Sequence, residues 1–200
     1  MAAPQPQIDG RLARGLRART AIVDAMLALM DGGDLRPSAA RVAERAGVSL
    51  RTVFQHFRDM ESLFDAAAGR QRERLSVVFE PLSESGAYAA RLDAFVRQRV
   101  ALLEAITPVR RGAMLYAPFS MVLSRRLREF RTFKASEARR VFAHELAGIP
   151  ARDRRVATAA LAAAASWSAW EELRAHQGLS IAQARRAMQH TIDAVLHPRG

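Results

Sequence analysis

The 200-residue chain is predicted to be all-α, with about nine helices. Three observations predict this. Apolar residues recur three and four positions apart, as in Ile22, Val23, Met26, Leu27 and Met30, which places them on one helical face. Residues that cap and stop helices stand where those stretches begin and end: Ser38, Gly47, Ser49, Asp59, Gly178 and Ser180. Past residue 66 no stretch carries the pattern of a strand.

The elements follow in order. The stretch ARTAIVDAMLALMDGG predicts a first helix stopped by Gly32 and Gly33. Ser38 caps a short second helix with Ala39, Val42, Ala43 and Ala46 on one stripe, and Gly47 ends it. Ser49 caps a third, in which Val53 and Phe57 face inward while Arg51, Thr52, Gln55 and His56 point elsewhere. Val48, between the two, plugs the angle where a polar residue would leave small apolar faces open to water. Asp59 caps a fourth helix over 60–79, returning Leu63 and Phe64 to the same core. Two short amphipathic helices joined at a glycine, with a third following at once, have the spacing of a helix-turn-helix and so of a DNA reader.

A loop over 81–86 precedes a fifth helix over 87–106, ended by Pro108. A sixth fits 109–117, Pro118 interrupts, and a long seventh runs over 119–146 before Gly148 and Pro150. The eighth covers about 151–177. Ser180 with Gln183 forms a capping-box pattern that starts the ninth, which stops before Pro198.

Within this run the residues AERAGVS, the segment from Phe54 to Phe57 and DMESL resemble the tetracycline-repressor-like (TetR) family. The likeness spans residues 15–65, and the tail from Ser168 to Leu196 is similar to the last two helices of many members. It implies an all-α homodimer that binds palindromic operator DNA through its N-terminal unit and releases it when a small molecule enters the C-terminal domain. The domains expected are a basic flexible arm over 1–14, a helix-turn-helix domain over 15–65, and an effector-binding and dimerisation domain over 66–200. The chain departs from the family pattern at Phe54, where a tyrosine is usual, and at Met60, where a lysine is usual. Both usual residues contact phosphate. A hydrogen bond to a charged group is worth about 1.5–3 kcal/mol, so losing two costs over a hundredfold in affinity unless other groups substitute. Arg51, Arg58 and the arm before the first helix, where Arg11, Arg14, Arg17 and Arg19 recur, are available substitutes.

On the DNA-reading face the candidates are Ser38, Ser49, Leu50, Arg51, Thr52, Phe54, Gln55, His56 and Arg58, with Arg17 and Arg19. Arg51 suits guanine, Gln55 adenine, and Leu50 or Thr52 a thymine methyl. The middle helices of the family enclose the effector, which makes Phe95, Leu102, Met114, Tyr116, Phe119, Met121, Phe133 and Trp167 the pocket candidates. Plain core is the alternative for each, because aromatic and methionine residues at helical spacing fill interiors. Leu161, Ala164, Trp170, Ile181, Met188, Ile192 and Val195 on the last two helices are the expected dimer interface, with closure of the monomer's own core as the alternative.

Composition sets the wider limits. A chain with 50% hydrophobic content can bury a real core, and no cysteine excludes a disulfide framework or thiolate zinc site. No stretch approaches the ~20 apolar residues of a membrane span, and the expected location is the cytoplasm. The net charge of +11 lies mostly outside the reader: 12 arginines face 9 acids up to Arg74, whereas 19 basic residues face 11 acids beyond. Seven of those, from Arg125 to Arg140 and including Lys134, crowd one helical segment, as a solvated face or a site for an anionic ligand.

An enzyme is not expected. His144 and Glu145 open HELAG, but a zincin motif needs histidine where Gly148 stands. Glu172 and His176 share a helix face, where a dipole or carboxylate contact is commoner than a metal. No metal and no cofactor is expected. The alternative function is a helical interaction or architectural module that binds DNA weakly and without regard to sequence.

Overall fold

The structure, a computed structural model, describes residues 10–76 and 81–198. Among these are ten α-helices and no strand. They are α1 (Gly10–Asp31), α2 (Ala39–Ala46), α3 (Leu50–His56), α4 (Met60–Ser76), α5 (Tyr88–Tyr116), α6 (Met121–Val141), α7 (Ala143–Gly148), α8 (Ala151–Ala164), α9 (Trp167–Glu171) and α10 (Ile181–Leu196). No helix among the described residues is long and apolar enough to cross a membrane.

The chain divides into two compact units. One comprises the residues up to Arg74 together with Pro108–Leu123, and the other comprises Leu75–Thr107 with the chain from Ser124 onward. This division differs from the boundary at 65/66 read from the sequence.

The first unit closes around Ile22, Met26, Met30, Val42, Val53, Phe57, Leu63 and Phe64, all buried. The caps are made as the sequence dictates. Ser38 Oγ accepts from the Arg41 amide at 3.3 Å, Ser49 Oγ accepts from the Thr52 amide at 3.1 Å, and Gly47 takes the left-handed conformation (φ 66°) that ends α2. At the start of α4, Asp59 Oδ1 accepts from the Ser62 amide at 2.8 Å. Val48 is half-buried against this core, at the turn it is expected to seal.

α1 begins at Gly10, so Arg14, Arg17 and Arg19 sit on helical turns instead of in a flexible arm reaching residue 14. Arginine, leucine and alanine are good helix formers, and Gly15 costs only about 1 kcal/mol there. Residues 1–9 of the expected arm lie outside the described residues, as does the end of the expected fourth helix at 77–79.

Pro108 does not end a helix. α5 runs unbroken from Tyr88 to Tyr116 with Pro108 inside it. The proline removes one amide donor, at a cost of about 3 kcal/mol that packing on both sides must outweigh. Before it, Leu92, Phe95, Val96, Leu103 and Ile106 belong to the core of the second unit; after it, Val109 belongs to that of the first. Gly112 lets α5 approach closely: a Cβ there would run into the Met30 Cε methyl and lie 3.0 Å from the Leu35 carbonyl oxygen.

The expected seventh and eighth helices are each broken. Ala117–Phe119 forms a 3₁₀ turn, and Ser120 Oγ accepts from the Leu123 amide at 3.0 Å, so α6 starts at Met121. It ends at Val141, and the short α7 follows. Ser166 Oγ caps Ala169 at 3.1 Å and restarts the chain as α9, which passes into a π-helical turn over Glu172–His176. The alanine run concealed that serine cap. The Ser180–Gln183 capping box is present, and α10 ends before Pro198.

Candidate nucleic-acid interface and ligand cavity

The third helix of the N-terminal unit is pinned at both ends and open along one side. Val53 and Phe57 are buried, while Leu50, Arg51, Phe54 and Gln55 are exposed. Ser38 and Ser49 spend their hydroxyls on caps, and Thr52 Oγ1 lies 2.8 Å from Ser49 Oγ, so these three hold the helix–turn–helix geometry. His56 is half-buried, and a Cβ on Gly15 would lie 4.0 Å from its Cε1, placing the imidazole beside α1. Arg14, Arg17 and Arg19 are all exposed, and Arg19 also stacks its guanidinium over the Phe57 ring at 4.9 Å. Arg58 is exposed and its Nε donates to Asp59 Oδ2 at 2.9 Å. The Ser62 amide, followed by the Arg58 guanidinium, holds the Asp59 carboxyl below its usual range. Phe54 is half exposed, and Met60 packs against the core.

The eight residues expected to line an effector pocket do not converge. Phe95 is fully buried core. Phe119, Met121 and Phe133 are the most exposed of the group, and Met114 is 45% exposed. Tyr116 belongs to the first unit, with its ring 4.6 Å from Phe64 and beneath the Arg36 guanidinium. Helical spacing gave the residue types of an interior without saying which interior. Only Leu102 and Trp167 of the eight border a cavity of about 390 Å³ within the second unit.

Apolar side chains of Leu102, Leu103, Phe130 and Trp167 form much of its wall. Trp167 is fixed by its indole N–H, which donates to Thr107 Oγ1 at 3.1 Å; that hydroxyl donates in turn to the Leu103 carbonyl at 2.6 Å. The same cavity meets Arg99 and Lys134. Arg99 is 4% exposed and donates to the Ala165 carbonyl at 3.0 Å, the Lys134 carbonyl at 3.3 Å and Glu137 Oε2 at 2.9 Å. Lys134 Nζ donates to both oxygens of the same Glu137, at 3.1 and 3.0 Å. Burial holds both cations below their usual pKa, against the support of Glu137. In the sequence Arg99 falls on the mixed inner face of the fifth helix with Leu92, Phe95, Val96 and Leu103, but helical spacing names neither Glu137 nor a cavity as what it meets.

Four of the seven expected interface residues instead close the monomer's own core: Leu161, Trp170, Met188 and Ile192 are all 1% exposed or less. Trp170 donates its indole N–H to Glu104 Oε1 at 2.8 Å. Ala164 and Val195 are half-buried, and Ile181 is 44% exposed. α8 and α10 pack directly on one another, so their large residues are consumed between them.

The HELAG residues serve structure. Glu145 pairs with the buried Arg91, while His144 is exposed. Burial works most strongly, to raise the Glu145 pKa, but the Arg91 hydrogen bond, a backbone hydrogen bond and the Arg91 charge together outweigh it and keep the carboxyl below its usual range. Glu172 accepts from Gln177 Nε2 at 3.2 Å. Among the described residues no three His, Asp or Glu side chains gather as a metal site would require.

A capped helix-turn-helix with an exposed reading helix, in an all-α chain, defines a DNA-binding transcriptional regulator. Residues 22–67 match the sequence profile described as bacterial regulatory proteins, tetR family. Over that stretch the chain is similar to the N-terminal part of those regulators. A transcriptional regulator from Rhodococcus sp. Rha1 shares its fold, with a TM-score of 0.67 and 22% identity over 91% of this chain and 95% of that one. So does a structure from Mesorhizobium loti MAFF303099 described as a TetR-family transcriptional regulator, with a TM-score of 0.63 and 22% identity over 92% and 96% of the two chains. No curated protein matches.

Proposed function

We propose that the chain is a cytoplasmic transcriptional repressor that binds a palindromic operator as a homodimer and is released by a small-molecule effector. The observation that carries this reading is the third helix, whose inward side chains are core and whose Leu50, Arg51, Phe54 and Gln55 remain exposed. On DNA, Arg51 grips a guanine edge and Gln55 an adenine, while Arg14, Arg17 and Arg58 bind phosphate. The effector enters the cavity of the second unit. The dimer forms through the outward faces of α8 and α10, where Val156 and Ile181 are exposed. A palindrome requires two reading helices spaced about one DNA turn (~34 Å) or a multiple apart, which a symmetric dimer supplies.

Phe54 and Met60 favour a second reading, an architectural module with sequence-blind affinity, since neither donates a hydrogen bond to phosphate. Selection of bound DNA from a random pool at two salt concentrations separates the two. A palindromic consensus supports the repressor. Binding that is salt-sensitive and indifferent to sequence supports the module.

A further inference from the structure

The wall of the cavity in the second unit carries an unbalanced charge. Arg99 and Lys134 both direct their donors at one carboxylate, that of Glu137. Two cations share one anion, which leaves one positive charge at a largely apolar cavity. Glu129, the other acid on α6, pairs with Arg125. Glu104, on α5 with Arg99, is engaged by Trp170 and Arg174. Arg131, exposed, stands at the same wall and adds charge of the same sign.

A buried charge without a partner is costly, and the low dielectric that makes it costly also strengthens its attraction for an incoming anion. Arg99 is tied to two backbone carbonyls as well as to Glu137, so it is pre-positioned. The Lys134 ammonium is held by the Glu137 carboxylate at the end of a flexible stem, and is the cation able to turn toward a ligand. Burial also disfavours its charged form, so a second anion would restore what the site lacks.

We infer that the cavity takes an apolar monocarboxylic acid, its carboxylate bound by Lys134 beside Arg99 and its hydrocarbon or aryl body against Leu102, Leu103, Phe130 and Trp167. One negative charge answers the one unbalanced cation of the Arg99–Lys134–Glu137 group, Arg131 being exposed to solvent, and the remaining wall offers burial to carbon. The inference rests on the proposed use of this cavity as the effector site, and adds the chemical class of the ligand.

Isothermal titration of the full chain with octanoate and 4-phenylbutyrate, each beside its neutral primary amide, tests it. Each acid is expected to bind about tenfold or more tighter than its amide, the worth of one charge-assisted hydrogen bond. Lys134→Met removes that preference without moving amide affinity, and Glu137→Gln, which deletes the competing carboxylate, tightens the acids. Quenching of tryptophan fluorescence that is lost in Trp167→Phe places the ligand in this cavity. Amides that bind as well as acids, acids that ignore both charge variants, or no binding by any of the four probes overturns the inference. Gel shift on operator DNA separates this from the wider reading. An acid that occupies the cavity yet leaves DNA bound supports the ligand class and overturns effector release. An amide that binds as tightly as its acid and releases DNA does the reverse.

Discussion

Arg51 and Asp59 stand close in the chain and do opposite kinds of work. Arg51 is exposed on α3, and Arg51→Ala should cost about 1–3 kcal/mol in operator binding while relaxing preference at one base pair per half-site. Binding measured on operators mutated one pair at a time checks this; equal weakening on every sequence would make Arg51 a phosphate contact. Phe54→Tyr restores a hydroxyl at a half-exposed position and should tighten binding in the same assay. Asp59 acts on folding. Its carboxyl, accepting from the Ser62 amide, titrates below its usual value of 3.8. A carboxyl depressed in the folded state stabilises fully above its unfolded pKa and loses that stabilisation as pH falls through the lower folded value. Asp59→Ala should therefore lower stability by about 1 kcal/mol at neutral pH, with the difference from wild type shrinking below pH 3.8. Chemical denaturation at pH 7 and pH 3 measures both.

At the scale of elements, α5 departs furthest from its local sequence. Pro108 is a helix breaker by every local rule, yet the helix continues, because each side of it buries residues in a core. Gly112 is the complement, a weak helix former retained where α5 lies against Met30 and Leu35. Gly112→Ala should cost about 1–3 kcal/mol through overpacking, which a helix-propensity gain of about 1 kcal/mol offsets only in part. A lower thermal midpoint than wild type checks it; a rise would mean that Met30 yields freely. The cap residues at 38, 49, 59 and 180 were legible, since a serine or aspartate followed by an apolar-periodic run has one physical use. Ser166 was not, because the alanines before it and Trp167 and Trp170 after it continue a helical pattern across it.

For the whole molecule, assembly and charge carry the predictions. Sedimentation at micromolar concentration should give a dimer, and Val156→Arg on the exposed face of α8 should give a folded monomer that loses operator affinity. The net charge of +11 is concentrated beyond the reader, so DNA contacts depend on particular arginines more than on overall field. Arg14→Ala and Arg17→Ala should each weaken binding on all sequences and reduce the salt slope by about 1, measured from affinity across a salt series.

Residue spacing by itself determined the helical class, the helix-turn-helix with its caps, and that Arg51 and Gln55 of its third helix face outward, while Thr52 and His56, read as outward too, are half-buried. The class, the caps and the outward pair depend on neighbours within a turn or two, where φ/ψ preference and periodicity act. Only the tertiary structure decided where the larger apolar residues go. Tyr116 joined Phe64 in the first unit, Leu161 and Trp170 closed the monomer core, and Phe119 stayed outside. It also brought Arg99, Lys134 and Glu137 together around one cavity. Arg99 and Glu137 are 38 residues apart, and burial of that kind is settled by which helices meet, a matter of packing that no single helix's pattern contains.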